Sequence, residues 1–192
     1  MGGMPKRSSI HRKILLVLGG IALVAGVVVL LNWDFVIHRI GTVKEGVLYR
    51  SAELSPAKLE SVVEKHGIRT VIDLRQEEDA DEQSAAAKGG ANYVWLPSTQ
   101  VPVEENIQAF LDIMDDPAKH PVLVHCEHGV GRTGVLAGVY RKEYEGWATK
   151  PVLEEARWYA FWGSYWDGQD KTDYLERYVP RDERDAEPAP AE

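Results

Sequence analysis

The residues able to do chemistry crowd one short stretch, PVLVHCEHGVGRTG, from Pro121 to Gly134, which contains the chain's only cysteine. The β-branched run VLVH reads as a buried strand, and RTGVLAGVY as a helix opening near Thr133 with Val135, Leu136, Val139 and Tyr140 as its apolar residues. Glu127 to Arg132 then form the connection between them. In such a turn consecutive backbone N–H groups close around an anion while the positive end of the helix points at it. Gly129, Gly131 and Gly134 permit the backbone angles and the close approach. Arg132 adds a planar fork of donors matched to two oxygens of a phosphate. Dipoles, helix end and guanidinium all favour the thiolate of Cys126 over its thiol, and a thiolate facing a phosphoryl group is a nucleophile. The expected chemistry is in-line attack on phosphorus, giving a phosphocysteine that water hydrolyses, with the Thr133 hydroxyl assisting the sulfur as it leaves. His125 reads as an organiser of the loop rather than a base, since the nucleophile is already ionised.

Other uses of these residues fit less well. His125, Cys126 and His128 are too close together in one tight turn for tetrahedral metal ligation, and no second cysteine or distant histidine pair completes a set. No metal or cofactor is implied. One cysteine excludes an intramolecular disulfide and any relay that passes a disulfide between two thiols. The chain of 192 residues carries a formal net charge of -8 even with Lys6, Arg7, Arg12 and Lys13 at its basic beginning. The remainder is strongly acidic, so nucleic acid is not an expected partner.

The elements that must hold this loop follow an α/β order. VLYRS at 47–51 reads as a strand. Ser55 and Pro56 start a helix with Leu59, Val62 and Val63 on its apolar face and Gly67 as its stop. RTVIDLR at 69–75 is a buried strand, EEDADEQSAAAKGG a helix with acidic residues first and two glycines last, and ANYVWLP another strand. Ile107, Phe110, Leu111 and Met114 recur at helical spacing ahead of the cysteine strand. A last helix is expected over roughly 150–165, with most of Trp158, Phe161, Trp162, Tyr165 and Trp166 in the core and Trp166 as the candidate for surface contact. Arg75 is expected to pair with Glu77 or Glu78.

Ile14 to Leu31 is an apolar run of 18 residues, about 27 Å long as a helix. The run and its flanks favour an uncleaved membrane anchor over a signal peptide, whose apolar stretch is usually shorter and followed by a small-x-small site. Basic residues concentrate before it, which puts the amino terminus in the cytoplasm and the rest of the chain on the extracytoplasmic side of the inner membrane. The expected organisation is a basic cytoplasmic segment at 1–13, a transmembrane anchor at 14–31, a linker at 32–42, a catalytic domain at 43–178 and a disordered acidic tail at 179–192. From Leu31 to a first strand near Val43 is about 12 residues, at most ~40 Å extended.

HCEHGVGRTG resembles the H-C-x-x-G-x-x-R-[ST] loop of cysteine-dependent protein tyrosine and dual-specificity phosphatases. LYRSAELS, GIRTVIDLRQEED and HPVLVHC, in that order, extend the likeness over about residues 43–165 to the small bacterial and atypical dual-specificity phosphatases. The resemblance implies a phosphotyrosine-phosphatase-like α/β fold, with a central, mostly parallel sheet of four to five strands flanked by helices. It carries the nucleophile onto Cys126, substrate binding onto Glu127, His128, Gly129, Val130, Gly131 and Arg132, and the hydroxyl role onto Thr133. The family draws its general acid, an Asp, from the loop before the helix that precedes the cysteine strand. WLPSTQVPVEENIQ contains no Asp, which leaves Glu104 as first candidate and Glu105 as second. Both also suit the first turn of a helix for purely structural reasons.

The loop carries no additional Lys or Arg between cysteine and arginine. The expected substrate therefore bears one phosphoryl group, on a protein side chain, a sugar or a lipid head such as phosphatidylglycerophosphate. Two classes of function remain open: a membrane-anchored phosphatase, and a phosphate-binding pseudophosphatase acting as an interaction module.

Overall fold

The computed structural model describes residues 7–186, so the first six residues and the last six of the expected tail lie outside the described residues. Two units meet between Ile37 and His38. The first is dominated by α1 (Arg7–Leu31), whose residues from His11 to Leu31 are exposed and form the one helix among the described residues long and apolar enough to cross a membrane. A signal sequence has the same character. The short α2 (Trp33–His38) follows.

The second unit is built on a five-stranded sheet comprising β1 (Gly41–Lys44), β2 (Leu48–Ser51), β3 (Thr70–Asp73), β4 (Asn92–Trp95) and β5 (Val122–His125). Its spatial order is β1-β2-β5-β3-β4. Only β1 is antiparallel, joined to β2 by a turn in which Gly46 takes φ 71°. The remaining pairs are parallel, and in register they set Arg50 and Asp73 beside Val124 and His125 respectively. Every residue of β2, β3 and β5 is buried, as expected of parallel strands covered on both faces, and their polar residues Arg50, Ser51, Thr70, Asp73 and His125 are buried with the rest.

Side-chain alternation splits the core into two layers. Tyr49, Val71 and Leu123 face α3 (Pro56–His66) and α4 (Ala80–Lys88). Leu48, Ile72, Val122 and Val124 face α5 (Glu104–Met114), α6 (Gly131–Glu145), α7 (Thr149–Tyr159) and α8 (Asp170–Arg177). The expected mostly parallel sheet flanked by helices is thus observed. The expected caps are found too: Pro56 opens α3, and Gly67 closes it at φ 61°.

The carboxyl-terminal third departs from expectation. The helix anticipated to 165 ends at Tyr159, and Phe161, Trp162 and Tyr165 adopt left-handed φ values of 46°, 58° and 69°. Helical spacing therefore does not govern these aromatics. Trp158, Phe161, Trp162 and Trp166 are each about half exposed, and of the five only Tyr165 is core. Chain expected to be disordered from 179 begins as α9 (Arg181–Ala186), where Arg181 pairs with Asp115 and Glu143.

α4 starts on a side-chain cap: Asp79 accepts from the N–H groups of Asp81 and Glu82. Asp79→Ala leaves those donors without a partner and is expected to lower stability by about 1 kcal/mol. A urea midpoint equal to that of the wild type would rule out the cap's contribution.

Candidate active site

Cys126 follows the last residue of β5, where the carboxyl ends of the parallel strands converge, and it is 2% exposed. The chain turns through Glu127–Val130 into α6. Unlike α4, α6 has no side-chain cap, because its cap position is Val130, and its first turn holds no acidic residue. Its leading N–H groups are left to a ligand.

The loop's carbonyls are held on the side away from solvent. Glu53 N–H donates to the Glu127 carbonyl at 3.2 Å. The buried Arg50 guanidinium donates to that of Gly129 at 2.9 Å. The buried Tyr165 hydroxyl reaches those of Gly131 and Val130 at 2.5 and 3.2 Å. A trans peptide points its N–H opposite its C=O, so these bonds turn the N–H groups of His128, Val130, Gly131 and Arg132 toward the cavity above Cys126. Gly129 is required where it stands: its φ is 63°, and a Cβ there would lie 2.6 Å from the Ser51 carbonyl.

An open cavity of about 380 Å³ contains Cys126, Glu127, His128, Val130, Gly131 and Arg132. Of the loop residues expected to bind substrate, these line one cavity, while Gly129 does not line it and packs against the backbone of Ser51 and Ala52, and Thr133 is fully buried just inside α6. Nη1 of Arg132 is anchored on the carbonyls of Leu74 at 2.9 Å and Ser98 at 3.3 Å, and Nη2 stands 3.7 Å from Glu127. Three residues that sequence reading missed also face this cavity: Arg39, Gln100 and Lys171, the last donating to Gln100 at 3.3 Å. They come from three separate segments, so no local pattern announces them.

Glu104 is not brought to this site. It is exposed at the first position of α5 and lines a different cavity with Tyr174, Arg177 and Tyr178. Glu105 is likewise an exposed first-turn residue. The segment expected to supply an acid presents the carboxamide of Gln100 to the thiol's cavity instead.

Behind the loop lies a buried charge network. Arg75 pairs with Asp73 at 2.9 Å, with Glu53 at 2.6 Å and with Glu82, not with Glu77 or Glu78 as expected. His125 stands 2.7 Å from Glu82 Oε1, an ion-pair distance without the alignment of a hydrogen bond. Asp73, Glu82 and His125 bring one ligand atom each within 4.8 Å, the spacing of a metal site, but Arg75 already occupies both carboxylates. The cluster is a brace tying α4 to β3 and β5. Burial alone pushes Asp73 up, yet the hydrogen bonds from Arg75, the neighbouring His125 and the Tyr93 hydroxyl together hold it below the ordinary carboxylate range.

Comparison with known proteins bears on the same residues. Residues 27–161 match the family described as DSP-PTPase phosphatase fused to NAD+ kinase. The dual specificity protein phosphatase TpbA of Pseudomonas aeruginosa is 29% identical over 130 residues, 67% of this chain and 57% of that protein, so the chain spans little more than half its relative's length. The inositol diphosphatase DSP3 of Arabidopsis thaliana is 41% identical over 59 residues, 31% of this chain and 28% of that protein. Among solved structures, the core catalytic domain of the PP-IP phosphatase SIW14 from S. cerevisiae superposes with a TM-score of 0.63 over 73% of this chain and 85% of that one. At 24% identity that likeness speaks for the fold.

Asp73 sets a sign for acid stability. Because its folded pKa is depressed, the contribution it makes through Arg75 is complete above the unfolded value of about 3.9 and is lost as pH falls through the lower folded value. Arg75→Met, which strands two buried carboxylates, should cost about 3 kcal/mol near neutrality and progressively less in strong acid. Denaturant titrations across pH that give a constant difference would dissociate Arg75 from this titration.

Proposed function

The chain belongs to the dual-specificity phosphatases of the DSP-PTPase type, and from that premise we propose that it is a membrane-anchored, cysteine-dependent phosphatase hydrolysing a phosphomonoester through a phosphocysteine intermediate. The observation that carries the reading is the joining of Cys126, the Arg132 fork and an uncapped helix terminus at one cavity, with the loop carbonyls bonded on the opposite side. The phosphoryl oxygens take the loop N–H groups and the Arg132 guanidinium. The Cys126 thiolate forms the S–P bond as the P–O bond to the leaving group breaks. Water then attacks phosphorus as the S–P bond breaks, its proton passing through solvent to balance the one taken up by the departed oxygen, and the Thr133 hydroxyl, buried without a hydrogen-bond partner, stabilises the departing sulfur.

The leaving oxygen finds no carboxylic acid from the 96–103 segment. Glu127 and His128 are the titratable side chains of the loop at the cavity's rim, and both are well exposed. Turnover should therefore favour leaving groups that depart without strong proton assistance. Phosphotyrosine fits this better than phosphoserine.

A second substrate reading gains support from Arg39 and Lys171, which add cations that the loop itself lacks. These suit a substrate carrying a further anionic group, and relatives with inositol diphosphatase and PP-IP phosphatase names point in that direction. A phospholipid head such as phosphatidylglycerophosphate and a sugar phosphate precursor share this chemistry. A pseudophosphatase that only binds phosphorylated partners is the alternative of a different class.

Membrane anchoring is supported by the apolar helix and by the exposed aromatics Phe161, Trp162 and Trp166 flanking Gly163 and Ser164 at the cavity's edge. The basic residues ahead of that helix favour an extracytoplasmic catalytic unit in the inner membrane.

Hydrolysis of aryl phosphates by the full chain is expected to fall steeply as the leaving group's pKa rises, to vanish in Cys126→Ser, and to be unchanged in Glu104→Gln. Selective loss on poor leaving groups in Glu104→Gln would restore that residue as the acid. Vanadate binding without turnover above the Cys126→Ser control would leave the pseudophosphatase. For topology, a carboxyl-terminal reporter active only outside the cytoplasm is expected to light up, and signal from a cytoplasm-only reporter would reverse the orientation.

A further inference from the structure

Arg50 lies on β2, in register with Val124 of the cysteine strand, and is 1% exposed. A guanidinium stays protonated even when buried, so this is a permanent charge inside the domain. Buried cations are normally matched by a carboxylate, because an uncompensated one is strongly destabilising. Among the described residues no carboxylate forms an ion pair with Arg50. Among the described residues it donates to the carbonyl of Gly129 and lies over the face of the Tyr159 ring, 3.8 Å from the guanidinium carbon, while its Nε is buried with no hydrogen-bond acceptor. The hydroxyls of Ser51 and Thr133 are buried without partners on the two elements that flank Cys126. Polar groups left unsatisfied in a protein interior call for a physical reason.

We propose that Arg50 is a positioning residue of the phosphate cradle, a cation sealed beneath the loop whose missing counter-charge is the anion above it, first the Cys126 thiolate and then the bound phosphoryl group. The proposal deepens the phosphatase reading and rests on it. Two actions follow from one side chain. Holding the Gly129 carbonyl keeps the Val130 N–H turned toward the anion, and the charge itself favours the ionised sulfur. Burial pulls Arg50 below its ordinary value, while Tyr159, Tyr165, Glu155 and Cys126 act in the opposite direction.

The other charged groups around the thiol do not make Arg50 redundant. Arg132 is exposed enough to be hydrated and faces Glu127, Lys171 is bonded to Gln100, and Arg39 lies over the ring of Phe161. His128 is at the solvent rim, and His125 is turned to Glu82. Tyr165, whose hydroxyl burial pushes far above its ordinary value, remains neutral.

Because the chain has a single cysteine, alkylation by iodoacetamide followed by mass spectrometry reads Cys126 alone, in the full-length protein held in detergent. The wild-type rate should reach its midpoint well below the ordinary thiol value of about 8.5. Arg50→Met should move that midpoint up by about one pH unit or more, a tenfold loss of thiolate at pH values below it, and should weaken vanadate binding. Arg50→Lys, which restores the charge, should bring the midpoint back down. A Met variant with a wild-type melting curve and an unmoved midpoint overturns the proposal. Should that variant not fold, Arg50→Gln, which keeps an amide donor for Gly129 and removes only the charge, carries the same expected shift. A wild-type midpoint at the ordinary thiol value overturns the proposal without any variant. Turnover is a separate readout: an inactive chain with an Arg50-dependent midpoint counts against the phosphatase reading, and an active chain with an Arg50-independent midpoint counts against this one.

Discussion

Everything at the site depends on which way four peptide planes face. A strand-to-helix turn has no intrinsic reason to present its N–H groups to solvent, and an unrestrained loop would offer water a mixture of donors and acceptors. Here the acceptors are committed. The backbone of Glu53, the guanidinium of Arg50 and the hydroxyl of Tyr165 take the carbonyls from below, so what faces the cavity is a surface of donors around a thiol. Preorganisation of this kind requires no rearrangement when an anion arrives, which is the condition under which such donors stabilise a developing charge most.

The brace formed by Arg75, Asp73, Glu82 and His125 does related work at the other face of the cysteine strand. It joins a helix to two strands through charges that are nearly inaccessible to solvent. Removing one partner strands the others, so the network specifies one arrangement more than it adds net stability. β5 is thereby gripped on both sides, by the brace through His125 and by β2 through the Arg50 register. Cys126 sits at the end of the central strand of the sheet.

How much of this was legible in the sequence varied with the range of the interaction. The cysteine loop was readable because its requirements are local: a strand, a turn with glycine where φ is positive, a fork of donors and a helix, all within 14 residues. The strands read correctly because short β-branched and apolar stretches bounded by turn residues mark them, even where a buried polar residue such as Arg50 or Asp73 interrupts the run. Arg50 and Tyr165 were not readable as site residues, since each acts on a carbonyl 34 to 79 positions away and a strand arginine or a core tyrosine carries no local mark of that. Glu104 failed for a related reason: proximity in sequence to the expected acid does not determine which cavity the first turn of α5 faces. The aromatic segment was misread because periodicity was carried past Tyr159 into residues with left-handed backbone. Nothing in the composition of Phe161 or Trp162 signals that conformation, which both would ordinarily avoid.

The anchoring of Arg132 on the Ser98 carbonyl ties the arginine to the segment that carries Gln100. A displacement of residues 96–103 therefore changes the partner set of the fork, and occupation of the fork by an anion changes the constraint on that segment. Thermodynamic reciprocity makes the two effects equal in free energy. Engagement of Gln100 at the cavity mouth and occupation of the Arg132 fork at its base are then linked, so a ligand group that holds Gln100 would alter affinity for an anion that it never touches.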